Sequence, residues 1–167
     1  MPRGKAKGSE FERKIAKEIV KAFKPFGITQ KDCWRSTGSG GHARSAGDLD
    51  ISDRLYKLFP FCLEMKHRKK IRYENFLLKK LSEERRWIRQ TCDGAGKCEG
   101  STPVLVMRAN NNPIYALVGP RSEVHSGNTA ELYFLDIETG PWQLLPWKMF
   151  LRLAIKMAVS GYRKRTA

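Results

Sequence analysis

A chain of 167 residues with 41% hydrophobic content amounts to one domain, long enough to bury a core and too apolar for a disordered polymer. Its 32 Lys and Arg outnumber its 17 Asp and Glu, and a net charge of +15 makes a polyanion the first partner to expect, because like charges oppose folding but concentrate an oppositely charged ligand. No apolar run approaches the ~20 residues of a membrane span, and no apolar segment follows the basic N-terminus as it would in a secretory signal, so no membrane partner is expected and the expected location is cytoplasmic.

Residues 1–8 read as a flexible basic arm. Ser9 then starts a helix whose Phe11, Ile15, Ile19, Ala22 and Phe23 recur at helical spacing, and Pro25 and Gly27 end it. A short strand over Asp32–Ser36 precedes a glycine-rich loop, Thr37–Gly47. Strands are predicted over Asp48–Ser52 and Phe61–Lys66, joined by a hairpin connection over Asp53–Pro60. After a basic cluster, Glu74–Cys92 is mostly helical, with Ser82 placed to cap a second segment, and Asp93–Thr102 is a loop. Pro103–Arg108 and Ile114–Val118 are strands across the turn Asn110-Asn111-Asn112-Pro113, and Leu132–Ile137 is another. Trp147–Val159 is a closing helix and residues 161–167 a basic tail, so 9–160 form the single domain. This order predicts an α/β fold with a mixed sheet flanked by helices.

Cys33, Cys62, Cys92 and Cys98 are expected as thiols. Cys92 and Cys98 are spaced too widely for a common zinc pair; a loop disulfide or two idle thiols fits them better. The four tryptophans, Trp34, Trp87, Trp142 and Trp147, suit a core better than a base-stacking surface.

Chemistry concentrates in three places. In Glu64-Met65-Lys66, strand alternation presents Glu64 and Lys66 on one face and turns Leu63 and Met65 into the core. Alone, such a tripeptide is an ordinary ion pair. Gly47-Asp48-Leu49-Asp50 adds carboxylates on a neighbouring strand, which, paired antiparallel with 61–66, brings an acid beside Glu64. Two converging carboxylates repel unless a cation sits between them, and hard oxygen ligands suit Mg²⁺, with Mn²⁺ able to substitute. Asp48, at the loop-side start of its strand, is the preferred ligand and Asp50 the reserve. Glu12 closes the set, although Ser9-Glu10-Phe11-Glu12 also has the pattern of a helix capping box.

Gly8-Ser9-Glu10-Phe11-Glu12-Arg13, Arg35-Ser36-Thr37-Gly38-Ser39-Gly40, Gly47-Asp48 and Glu64-Met65-Lys66 follow one another in the order and rough spacing of the archaeal-type Holliday junction resolvases, a family with similar nucleases in phages. The chain resembles that family over roughly residues 8–70. The resemblance implies a restriction endonuclease-like fold of the PD-(D/E)xK nuclease superfamily and an active site of Glu12, Ser39, Asp48, Glu64 and Lys66. It also implies in-line attack leaving a 5′-phosphate and a 3′-hydroxyl. Where the family often has Pro before the Asp, this chain has Gly47. Metal ligands would then be Asp48, Glu64, the Met65 carbonyl and Glu12. Phosphate contacts would come from Arg13, Arg35, Gly40 and Arg44 on one side and from His67, Arg68, Lys69, Lys70 and Arg72 on the other. The expected substrate is a four-way DNA junction, cut by paired nicks from a homodimer; the apolar faces of the 74–92 and 147–159 helices are candidates for its surfaces or for the core. Another nuclease of the superfamily, or a non-catalytic basic DNA-binding protein, are the alternatives.

Overall fold

The computed structural model describes residues 3–36, 47–76, 82–98, 100–120, 132–136 and 140–166. Helix α1 (Arg3–Phe23) is followed by a 3-10 turn at Lys24–Phe26, and Gly27 closes it. Gly27 has φ +76 and donates its N–H to Lys24 O at 2.9 Å, a left-handed conformation that glycine adopts without strain. Phe11, Ile15, Ile19 and Phe23, spaced four apart, are all buried on one stripe. The helix begins well before Ser9, so the basic N-terminal segment from Arg3 onward is its first two turns, and the capping box expected at Ser9–Glu12 does not exist. Glu12 is thereby available for other contacts.

Two short strands, β1 (Cys33–Arg35) and β2 (Leu49–Ile51), pair with each other antiparallel, Trp34 opposite Asp50. The pairing of 48–52 with 61–66 expected from sequence is therefore corrected. The stretch after β2 is likewise not a hairpin connection. Ser52 caps a one-turn helix, α2 (Asp53–Tyr56), by accepting the Leu55 N–H at 3.2 Å, and its hydroxyl donates to Asp32 Oδ1 at 2.7 Å.

The main sheet has five strands in the order β3 (Phe61–Arg68), β4 (Thr102–Ala109), β5 (Ile114–Val118), β7 (Gly140–Pro146) and β6 (Leu132–Asp136). β3 and β4 are parallel and the remaining neighbours antiparallel. Helix α3 (Glu83–Gly96), capped by Ser82, supplies the crossover that a parallel pair requires. It extends four residues past Cys92, into the stretch read as a loop. Helix α4 (Trp147–Thr166) carries the chain through the segment read as a basic tail.

Alternation along the strands separates two cores. Leu63, Met65, Val104, Val106, Ala116 and Leu145 pack beneath α1 and α4. Leu105, Met107, Leu117 and Trp142 pack against Trp87 and Ile88 of α3. The result is a mixed sheet between two helical layers, the α/β, restriction endonuclease-like arrangement. The apolar faces of α3 and α4 are buried in these cores, the second of the two roles open to them. Trp87, Trp142 and Trp147 are core residues; Trp34 is 40% exposed. All four cysteines are thiols. Among the described residues no helix is long and apolar enough to cross a membrane.

Candidate active site

β3 is the outer strand of its sheet, so one row of its backbone groups has no strand partner. Asp48 occupies that edge. Its N–H donates to Leu63 O at 2.9 Å, and its Oδ2 accepts the Met65 N–H at 2.6 Å. Gly47 makes the approach possible: a Cβ there would lie 2.4 Å from Leu63 O and 3.2 Å from Cys62 Sγ. Backbone groups of one strand residue point to the same side, so the Met65 carbonyl lies on this edge with its N–H.

Glu64 and Lys66 project from β3 toward α3. Glu64 is 7% exposed, and Lys66 Nζ donates to Glu64 Oε1 at 2.5 Å and to Gln90 Oε1 of α3 at 3.0 Å. A buried carboxylate is tolerable when paired and hydrogen-bonded in this way. Gln90 carries no sequence signal: it sits on the helix margin beside inward-facing Thr91, and only the fold brings it to Lys66.

Burial pushes the Asp48 carboxyl up to about 6. Repulsion from Glu64 and Glu12 adds to this, while the Met65 N–H and the Lys66 ammonium pull the other way. The charges of Glu64 and Glu12 thus reach Asp48 at the β3 edge. Among the described residues, no three His, Cys, Asp or Glu side chains converge as a preformed metal cluster. Glu12 is engaged elsewhere: its Oε2 accepts the Arg35 guanidinium. What remains is Asp48, Glu64 and the Met65 carbonyl. An all-oxygen set of two carboxylates and a carbonyl, with excess negative charge, fits Mg²⁺, which keeps several of its waters and needs few protein ligands.

Asp50 stands apart from this group. It lies within β2, and its Oδ1 is buried with no hydrogen-bond partner among the described residues. It is not among the charges that shift Asp48, although it helps burial raise the Cys33 thiol to about 12. Cys62, beside Asp48 and Glu64, is likewise pushed up to about 12, chiefly by burial, and is a poor nucleophile. Cys98 lines a small void with Cys62 and Gly47, whereas Cys92 packs against the α3-side core, so of the two readings, loop disulfide or separate thiols, the structure has the second.

The basic residues divide by role. Arg35, expected on phosphate, is engaged with Glu12. Arg68 bonds Glu83 at 3.3 Å and lies 5.3 Å from the Trp87 ring centre, fastening β3 to α3. His67 faces the other way and packs on Phe11 of α1, ring centres 5.5 Å apart. Arg13, Lys69, Lys70 and Arg72 are exposed. Ser39, Gly40 and Arg44 lie outside the described residues.

A family model described as "Phage putative PDDEXK endonuclease" matches residues 3–134, from α1 to within β6. No curated protein and no solved structure matches the chain. The family match spans α1, β1, β2, β3, α3, β4 and β5, hence every described candidate residue above, and the chain belongs to this PDDEXK endonuclease family.

Proposed function

We propose that this endonuclease depends on a divalent metal, Mg²⁺ by preference, and hydrolyses DNA phosphodiester bonds with Asp48, Glu64 and Lys66, taking four-way junctions as its preferred substrate. One observation carries the reading: a buried Glu64 and a desolvated Asp48 straddle the open edge of one strand, with the Lys66 ammonium on Glu64. A protein that only binds DNA gains nothing from shielded carboxylates, which repel phosphate.

Asp48, Glu64 and the Met65 carbonyl would hold the ion. When bound, it supplies charge neutralisation at the scissile phosphate and lowers the pKa of an attacking water. Asp48 is fixed by two backbone hydrogen bonds and so presents its second oxygen, Oδ1, in one place. Lys66, held between Glu64 and Gln90, directs its ammonium at charge developing on the phosphate or orients the water. Glu12 keeps Arg35 beside the site, where release of the pair gives a cation for the phosphate and a third carboxylate for the metal. Exposed Arg13, Lys69, Lys70 and Arg72 provide non-specific contacts to the backbone.

Junction preference rests on the motif order shared with the archaeal-type resolvases, and paired nicks then require two sites, hence a homodimer. The test is a labelled four-way junction and a linear duplex of the same sequence, incubated with Mg²⁺, Mn²⁺ or EDTA. The native chain is expected to nick the junction symmetrically with metal only. Asp48→Asn, Glu64→Gln and Lys66→Ala are expected to lose cutting and keep binding. Undiminished cutting by these variants overturns the site; equal cutting of the duplex overturns junction preference and leaves the nuclease.

A further inference from the structure

A second concave surface lies away from the β3 edge, between α1, the β4–β5 turn and the start of α4, with a volume of about 420 Å³. That is the scale of a small-molecule pocket. Its cations are Lys14, Arg108 and Lys148, its one carboxylate Glu18. Glu18 is already engaged: Oε2 accepts Trp147 Nε1–H at 2.7 Å, and Oε1 lies 3.9 Å from Lys14 Nζ. Neither Arg108 nor Lys148 has an ion-pair partner among the described residues. The cleft therefore carries an uncompensated positive charge.

An orphan donor strengthens the point: Arg108 Nε is buried without a hydrogen-bond partner among the described residues, and Nδ1 of His67, outside the cleft lining, is also unpartnered. The two residues are register partners on β3 and β4, so their side chains share the α1 face of the sheet. A buried guanidinium donor left unmet in a native fold calls for a ligand or an ordered water. Pro113, Ile114 and Pro146 give the cleft an apolar wall beside the cations.

We infer that this cleft binds a sugar–phosphate unit of the DNA, at a second contact displaced from the scissile bond. The phosphate meets Arg108, whose planar fork suits its oxygens, with Lys14 and Lys148 at the rim. The sugar rests on the apolar wall. The inference builds on the reading of the chain as a DNA nuclease, and it places the duplex across α1 near His67, on the face of β3 opposite Glu64 and Lys66.

The test uses the full chain in EDTA, so that binding is read without cleavage. Anisotropy of a labelled junction and a labelled duplex is measured over a KCl series for the native chain and for Lys14→Gln/Lys148→Gln. Both lysines are exposed, so the fold should be unaffected. A matched variant, Lys57→Gln/Lys97→Gln, removes two exposed charges at the opposite end of the sheet. Loss of the two rim charges that neutralise the phosphate with Arg108 lowers the slope of log Kd against log salt by about 1 and weakens binding roughly 5-fold at low salt, alike on both DNAs. With Mg²⁺, cutting at saturating DNA should stay within about 2-fold of native, since no reacting atom is touched. An unchanged slope, or a change equal to that of the matched variant, overturns the cleft as a DNA site. Inorganic phosphate, titrated against the native chain by calorimetry, separates the sources: lysine-dependent phosphate binding with an unchanged DNA slope means a free-anion site and overturns the proposal. Native protein that binds DNA through the cleft and never cuts it would sink the nuclease reading alone.

Discussion

Asp48 is clasped to β3 at two points, its N–H on Leu63 O at 2.9 Å and its Oδ2 on the Met65 N–H at 2.6 Å. One carboxylate oxygen serves the fold and leaves the other for the site. Asp48→Asn can keep the clasp, because its amide oxygen still accepts the Met65 N–H while the charge is lost. Metal-dependent cutting should fall by at least ~100-fold, with the far-UV spectrum unchanged. DNA binding in EDTA should be equal or tighter, since a negative charge has gone. Weaker binding together with a lower Tm would show that Asp48 is mainly structural.

Lys66 is held by Glu64 and Gln90, and the two partners differ in what they contribute. Glu64→Gln removes a proposed metal ligand and a counter-charge; Gln90→Ala removes only one of the two acceptors of the ammonium. Gln90→Ala should lower kcat by roughly 10-fold with the metal requirement unchanged, whereas Glu64→Gln should abolish the response to Mg²⁺. Rescue of rate by Gln90→Glu, and not by Gln90→Leu, would identify orientation of Lys66 as the cause. Equal loss in all three would mean that the helix margin matters only for packing.

Gly47 is tested by a single methyl. Added at Gly47, it meets Leu63 O at 2.4 Å, and that contact is backbone, so β2 or β3 must move. Gly47→Ala should cost about 1–3 kcal/mol and reduce cutting more than stability explains, because Asp48 moves with it. Gly96→Ala is the comparison: at the end of α3, nothing lies within 4 Å of the added carbon, and it should gain up to ~1 kcal/mol. Chemical denaturation of the two variants checks both signs.

The strand alternation that sets Glu64 and Lys66 on one face and Leu63 and Met65 on the other is local physics, and the sequence displays it fully. So is the stripe of Phe11, Ile15, Ile19 and Phe23, and the cap at Ser82. What escaped was non-local or masked by composition. β2 is three residues long, too short for a pattern to choose its partner, and it pairs with β1, while Asp48 just before it hydrogen-bonds to β3. β7 is bracketed by Pro141 and Pro146, which argue against a strand, yet both prolines fall at its ends and the strand pairs on both sides. The first turns of α1 contain Gly4, Gly8 and three cations, a composition that reads as coil. Nothing in a linear reading shows that Arg35 faces Glu12, 23 residues away.

The tryptophans offer a direct contrast of burial. Trp142 has no exposed surface and sits in the α3-side core; Trp34 is 40% exposed on β1. Trp142→Ala should cost about 3–5 kcal/mol, and Trp34→Ala less than ~0.5 kcal/mol. Iodide should quench only the Trp34 share of the native emission. Insensitivity of that share to Trp34→Ala would contradict the exposure of β1.

The raised pKa of Asp48 predicts how stability and metal affinity depend on pH. Its ordinary value is 3.8 and burial, with Glu64 and Glu12, lifts it to about 6 in the folded chain. Between these values the native state holds a proton that the unfolded chain has released. The stability of the metal-free protein should therefore decline as pH rises from about 4 to about 6 and level off above, with the full benefit present below 4. Asp32 works in the opposite sense: the Thr29 N–H and the Ser52 hydroxyl hold its carboxyl below 3.8, so its contribution is present above that pH and lost on acidification. Melts in EDTA should separate the two, since Asp48→Asn removes only the first. Metal binding needs the ionised carboxylate, so apparent Mg²⁺ affinity should drop up to ~10-fold per pH unit below about 6 and be flat above it. Native and Asp48→Asn stabilities running parallel from pH 4 to 6 would mean that the shielding of Asp48 by the β3 edge, and with it the argument for a cation between the two acids, is wrong.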